Sequence, residues 1–298
     1  LPISEHSALV VVSEYITNAD QMKRAIRNIK VLRAGNPDKN IYVSLLADFK
    51  PSDSPEDNND AALIAIAKEA ENEPNLIVFV RKRTKIGKRY QAYERKRGAV
   101  MALARLLVTG NKDDFSYISV NSVPNFEYIV ALDADNTMPP GSVKEMVNII
   151  AHPANKKYDL IAARSKYNLF SINTPFSKRF IRESAFVNYP NYSSLYYNCF
   201  GVDIFCGKGI FRVKQFYNKL DGIFPDNKLL SHDIIEGAVL TTASGYIVYE
   251  DAPKNFIADR ERRKRWQRGD IQFLPFLGKH WKNKEGERYA SEISPIYK

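Results

Sequence analysis

At 298 residues, 44% of them hydrophobic and 26% charged, the chain has enough apolar matter for one large α/β domain or two small ones. Its longest apolar run covers residues 61–67, far short of a membrane span, and its two cysteines exclude a disulfide framework and a four-ligand zinc site. The net charge of +10 suits nucleic acid, an anionic membrane or a phosphorylated substrate; basic residues cluster at 81–97 and 260–268, and no nucleic-acid motif is present.

The first half alternates strand and helix signals. A β-branched run at 8–12 reads as a buried strand. Residues 18–33 read as a helix with Met22, Ala25, Ile26, Ile29 and Leu32 along one stripe. A second strand at 41–47 ends at Asp48, and a polar loop rich in Asp, Ser, Pro and Asn fills 51–60. A helix at 61–71, a strand at 76–80, a helix at 98–108 and a strand at 128–132 follow. Such alternation implies βαβ units and a mostly parallel sheet, whose ligand site lies outside the carboxyl ends of the strands. Asp48 and Asp133-Ala134-Asp135 fall at such ends.

The second half is less regular. Helices are expected at 142–152, 233–243 and 259–273, and short strands at 210–213 and 246–249. Residues 166–199 are rich in Tyr, Asn, Ser and Phe with weak periodicity. No linker divides the chain, so a single domain over 1–298 is expected, with a nucleotide-binding half at 1–136 and an acceptor-binding half at 137–298. The start at Leu1, without methionine or signal peptide, reads as a segment processed or excised from something longer, and the cysteine usage as that of a reducing compartment.

Four segments carry chemistry. Asp133 and Asp135, just past a buried strand, suit a hard divalent cation held by one or two carboxylates and phosphate oxygens; a polar turn before Pro139-Pro140 is the plainer reading. Asp233 suits a carboxylate base that takes a proton from an acceptor hydroxyl, with Glu236 the next candidate; their spacing also matches a capping box at a helix start. Gly207-Lys208-Gly209 permits close backbone approach to a substrate, with Lys208 toward phosphate, or is simply a turn. Arg262 and Arg265 share a helix face, as befits bidentate diphosphate contact, and Trp266 offers a platform for a sugar ring; a solvated basic helix is the alternative.

Taken in order, these segments resemble inverting family 2-type glycosyltransferases of GT-A fold. The finer likeness is to the glycosyltransferase domain of cyclic β-1,2-glucan synthases. It is carried by Tyr93-Glu94-Arg95-Lys96-Arg97-Gly98, by residues 128–135, by Gly207-Lys208-Gly209-Ile210, by residues 229–237 and by Arg265-Trp266-Gln267-Arg268-Gly269-Asp270. The resemblance implies a Rossmann-like GT-A fold, UDP-glucose as donor, Mg²⁺ or Mn²⁺, and growth of a β-1,2-glucan on the cytoplasmic face of a bacterial inner membrane. By position it implies metal binding at Asp133 and Asp135, base catalysis at Asp233, and diphosphate contact at Arg262, Arg265 and Trp266. Asp48 and Lys96 would face the nucleotide. Arg262 stands where the broader superfamily often has glutamine, and the chain lacks the family's membrane spans and phosphorylase-like region. A related synthase using another UDP-sugar and a non-catalytic glycan- or polyanion-binding module are the competing readings.

Overall fold

The computed structural model describes residues 5–184, 199, 205–229 and 233–290. His232, in one of the motifs above, and most of the aromatic-rich stretch after residue 184 lie outside them. The backbone divides into two compact units whose segments interleave along the chain. The first takes Leu1–Ala134, Pro139–Lys156 and Ile210–Asp221; the second takes Asp135–Met138, Lys157–Gly209 and Gly222–Lys298.

The first unit opens with β1 (Ala8–Ile16), α1 (Ala19–Ala34), β2 (Ile41–Phe49), α2 (Asp60–Ala67) and β3 (Leu76–Arg81). A hairpin of β4 (Thr84–Ile86) and β5 (Arg89–Gln91) leads to α3 (Arg95–Thr109), then β6 (Phe115–Ile118), β7 (Tyr128–Asp133) and α4 (Ser142–Ala151). The chain then passes to the second unit with β8 (Leu160–Tyr167) and α5 (Pro175–Ser184). Next come β9 (Gly209–Arg212), whose residues from Ile210 on belong to the first unit, and α6 (Val213–Leu220). The second unit closes with α7 (Asp233–Val239), β10 (Thr242–Glu250), α8 (Phe256–Phe273) and the hairpin β11 (His280–Lys282)–β12 (Arg288–Ala290).

In the first unit the strand order is β9-β7-β1-β2-β3-β6. β1 pairs parallel with β2 and with β7, so Val10 faces Val43 on one side and Val130 on the other. β2 pairs parallel with β3, and only the short β6 runs antiparallel to β3. The apolar stretches of these strands are covered by helices: all six residues of β3 are buried, and α1 and α3 both lie against β2. Asn18 caps α1 by accepting from the Gln21 amide at 2.9 Å, and Met22, Ala25, Ile26 and Ile29 form its buried stripe. The α/β class with a mostly parallel sheet flanked by helices is as expected of a GT-A-type domain.

In the second unit β8 and β10 pair parallel, with a bulge between Ser244 and Tyr246. Sequence alone expects α7 to continue to residue 243. It ends at Val239 instead, and β10 begins at Thr242, whose hydroxyl bonds to the carbonyls of Gly237 and Leu240 at 3.0 and 3.1 Å. Those side-chain bonds satisfy carbonyls at the helix end and let the backbone turn into a strand. α8 begins before its expected start, because Asn255 caps it by accepting from the Ala258 amide at 2.9 Å. β11 is anchored by buried Trp281, which donates to the Ile223 carbonyl at 2.7 Å and stacks on Phe224. Among the described residues no helix is long and apolar enough to cross a membrane.

Candidate active site

In the first unit, charges gather at the carboxyl ends of the strands. Asp48, near the end of β2, is buried and accepts a two-point bond from Arg81, at 2.7 Å from Nε and 2.6 Å from Nη2. Both groups are out of water, so the planar fork of arginine matters for satisfying the carboxylate. The same guanidinium donates to the carbonyls of Tyr93 and Arg95 at 3.0 and 2.9 Å, and its Cζ lies 5.1 Å from the Tyr93 ring centre. It thereby clamps a turn in which Glu94 and Arg95 both adopt positive φ, +52° and +46°. Two adjacent non-glycine residues in that region are costly and persist only where neighbours hold them. The turn delivers Lys96 to Asp133, with Nζ 2.5 Å from Oδ1. Lys96, which the resemblance turns to the nucleotide, and Asp133, which it assigns to the metal, are therefore direct partners.

Asp133 ends β7, and Asp135 follows in an exposed turn. Thr137, in the same short segment, makes an antiparallel bridge to Tyr249 of β10, with bonds of 2.8 and 3.0 Å. Two part-exposed carboxylates are a hard-oxygen donor set, suited to a cation that keeps its remaining ligands from phosphate and water. Among the described residues no group of three or more His, Cys, Asp or Glu side chains is gathered as for a metal.

In the second unit, Lys208 is buried, with Nζ 2.5 Å from a Glu250 carboxylate oxygen and 3.2 Å from Ser165 Oγ. Lys208 therefore ties its loop to both β8 and β10. Gly209 runs so close to β8 that an added Cβ would lie 2.4 Å from the Ile161 carbonyl oxygen. Gly207 has φ +76°, and an added Cβ there would lie 2.9 Å from Asp233 Oδ2. Asp233 opens α7 and is half-buried; Glu236 is buried, at 5% exposure. The two carboxylates therefore differ in exposure, Asp233 being part-exposed and Glu236 buried.

On α8, the two arginines expected on one face have different surroundings. Arg262 is half-buried, 3.4 Å from the Tyr167 hydroxyl and 3.6 Å from an Asp259 oxygen, with its Cζ 4.9 Å from the Trp266 ring centre. Its other flank meets the Phe180 ring. Burial pushes the Tyr167 hydroxyl above its ordinary pKa, and Arg262 opposes that shift. Arg265 is exposed, and Trp266 keeps half its surface in solvent. Cation–ring contact of this kind favours the indole's position beside Arg262.

Arg81, Glu250 and Tyr167 are site neighbours that sequence reasoning missed. Arg81 had a signal: it is a lone cation closing a wholly apolar strand, and the neighbouring strand reaches a lone aspartate at the same level. A buried charge needs a partner, and those two ends offered one.

No family model matches the chain. The fold is α/β, with the carboxylates of Asp48 and Asp133 at the carboxyl ends of parallel strands. The chain is homologous to the cyclic β-(1,2)-glucan synthase NdvB of Rhizobium meliloti (strain 1021), with 28% identity over 299 residues and 90% of this chain. It spans about 10% of that relative's length. Among solved structures it is similar to S. aureus TarS, at 12% identity and TM-score 0.44 over 83% of this chain and 37% of that one. It is also similar to a TarS fragment, residues 1–349, at 12% identity and TM-score 0.40 over 90% and 65% of the two chains.

Proposed function

We propose that this domain transfers glucose from UDP-glucose, with inversion at C1, to the end of a β-1,2-glucan. The observation that supports this most is the homology to a cyclic β-(1,2)-glucan synthase over 90% of the chain. An accessible Asp233 beside a buried Glu236 adds to it. An acceptor hydroxyl oxygen attacks C1, the bond from C1 to the diphosphate oxygen breaks, and UDP leaves with the electron pair. Asp233 takes the hydroxyl proton. Asp133 and Asp135 would hold Mg²⁺ or Mn²⁺, which supplies charge neutralisation for the leaving diphosphate. Lys96 adds a cation beside Asp133, while Arg265 lies exposed for diphosphate and Trp266 for a sugar ring. The domain would work as part of a longer, membrane-embedded polypeptide, on the cytoplasmic face of a bacterial inner membrane.

The test is transfer and donor hydrolysis across a panel of UDP-sugars, with manganese and with chelator. Preference for UDP-glucose supports the reading. Preference for another UDP-sugar replaces the donor, and metal-independent binding with no turnover of any donor points to a binding module. Calorimetry of UDP adds a sharper measurement. UDP should bind more tightly with manganese present, and Asp135→Ala should remove that difference because a hard ligand is lost. Equal UDP affinity with and without metal in the parent would count against the two carboxylates as metal ligands.

A further inference from the structure

The segment from Phe205 to Gly209 is fastened to its surroundings at several points, all within the second unit. The Lys208 carbonyl accepts from the Ala163 amide of β8 at 2.9 Å. The Lys208 ammonium reaches across to Ser165 of β8 and Glu250 of β10. Gly209 lies flat on β8, where no side chain fits. The other side of the segment meets α7. An added Cβ on Gly207 would sit 2.9 to 3.1 Å from all three atoms of the Asp233 carboxylate, and one on Gly237 would sit 2.7 Å from Phe205 Cβ. Asp233 and Gly237 are about one helical turn apart, so one face of α7 meets the segment at both ends.

We propose that this segment is the positioning element for Asp233, with Gly207 setting the carboxylate's orientation and the Lys208–Glu250 pair fixing the height of Gly207. Lys208 is then a positioning residue and not a phosphate ligand. The inference rests on the reading of Asp233 as base. An aspartate side chain has two torsions, and packing on the α-carbon of Gly207 removes most of their freedom. A base held this way meets the acceptor proton without reorganisation, which is worth orders of magnitude when lost.

The experiment compares four variants of the full chain, assayed with the UDP-sugar that the donor panel selects. Gly207→Ala should lower kcat at least about tenfold while donor KM and UDP affinity stay within about twofold. In an Asp233→Asn background the same change should add nothing, because the group it positions is gone. Lys208→Met combined with Glu250→Met removes the ion pair without stranding a buried charge. It should reproduce the kcat loss with donor KM unchanged, which keeps the idea testable if Gly207→Ala fails to fold. Parent-like kcat in either loop variant, or a full additional loss from Gly207→Ala in the Asp233→Asn background, overturns the positioning role. A parent-like Asp233→Asn instead overturns the base assignment on which it rests.

Discussion

Asp233→Asn is expected to lower glucosyl transfer by roughly 10²- to 10⁴-fold, the usual worth of a positioned base. The change keeps the size of a half-buried side chain and should alter stability by no more than about 1 kcal/mol. UDP affinity should be nearly unchanged, since Asp133, Asp135 and Lys96 are untouched. The measurement is initial rate alongside melting temperature and UDP calorimetry. A variant that folds, binds and transfers like the parent would leave Asp233 as a structural residue. The base would then be sought at Glu236, one helical turn on and buried.

Arg81→Leu is expected to cost about 3–5 kcal/mol of stability, as for other buried ion pairs broken by removing one partner. The Arg81 side chain is 1% exposed and that of Asp48 13%, so the abandoned carboxylate has little access to water. The same change frees the carbonyls of Tyr93 and Arg95, which the guanidinium holds in their strained turn. Lys96 should then lose its place beside Asp133, and donor affinity should fall with stability. Urea denaturation reads the first effect and UDP calorimetry the second. The double variant Arg81→Leu with Asp48→Leu should recover part of the stability, because no lone charge remains. A single variant as stable as the parent would mean that the pair contributes nothing net.

The parallel core was legible because the first half of β1 and most of β2, β3 and β7 are buried on both faces, and burial on both faces writes a continuous, largely apolar run. β8 escaped notice because its first half is short and alanine-rich and its second half is polar, Arg164-Ser165-Lys166. The hairpin β4–β5 is basic and exposed, so it carries no apolar alternation to read. α6 begins at Val213, which extends the apolar run of the preceding strand, so the sequence carries no mark of the boundary. The end of α7 is not legible in the sequence because the step from helix to strand depends on the Thr242 hydroxyl, a tertiary detail that periodicity does not carry. At the site, the residue types were readable and the pairings were not. Lys96 with Asp133, Lys208 with Glu250 and Asp48 with Arg81 are partners far apart in sequence, brought together by sheet order and not by local spacing.

The interleaving of the two units bears on the order in which the chain emerges during synthesis. The first unit lacks the segment Ile210–Asp221 until residues 157–209, which belong to the second, have already left the ribosome. That late segment includes α6, which packs against α3. A nascent chain arrested before residue 210 would therefore leave α3 without the helix that packs on it in the finished fold. Contacts that must wait for distant sequence fold slowly and leave apolar surface open meanwhile. The same connectivity means that no single cut in the chain releases either unit whole.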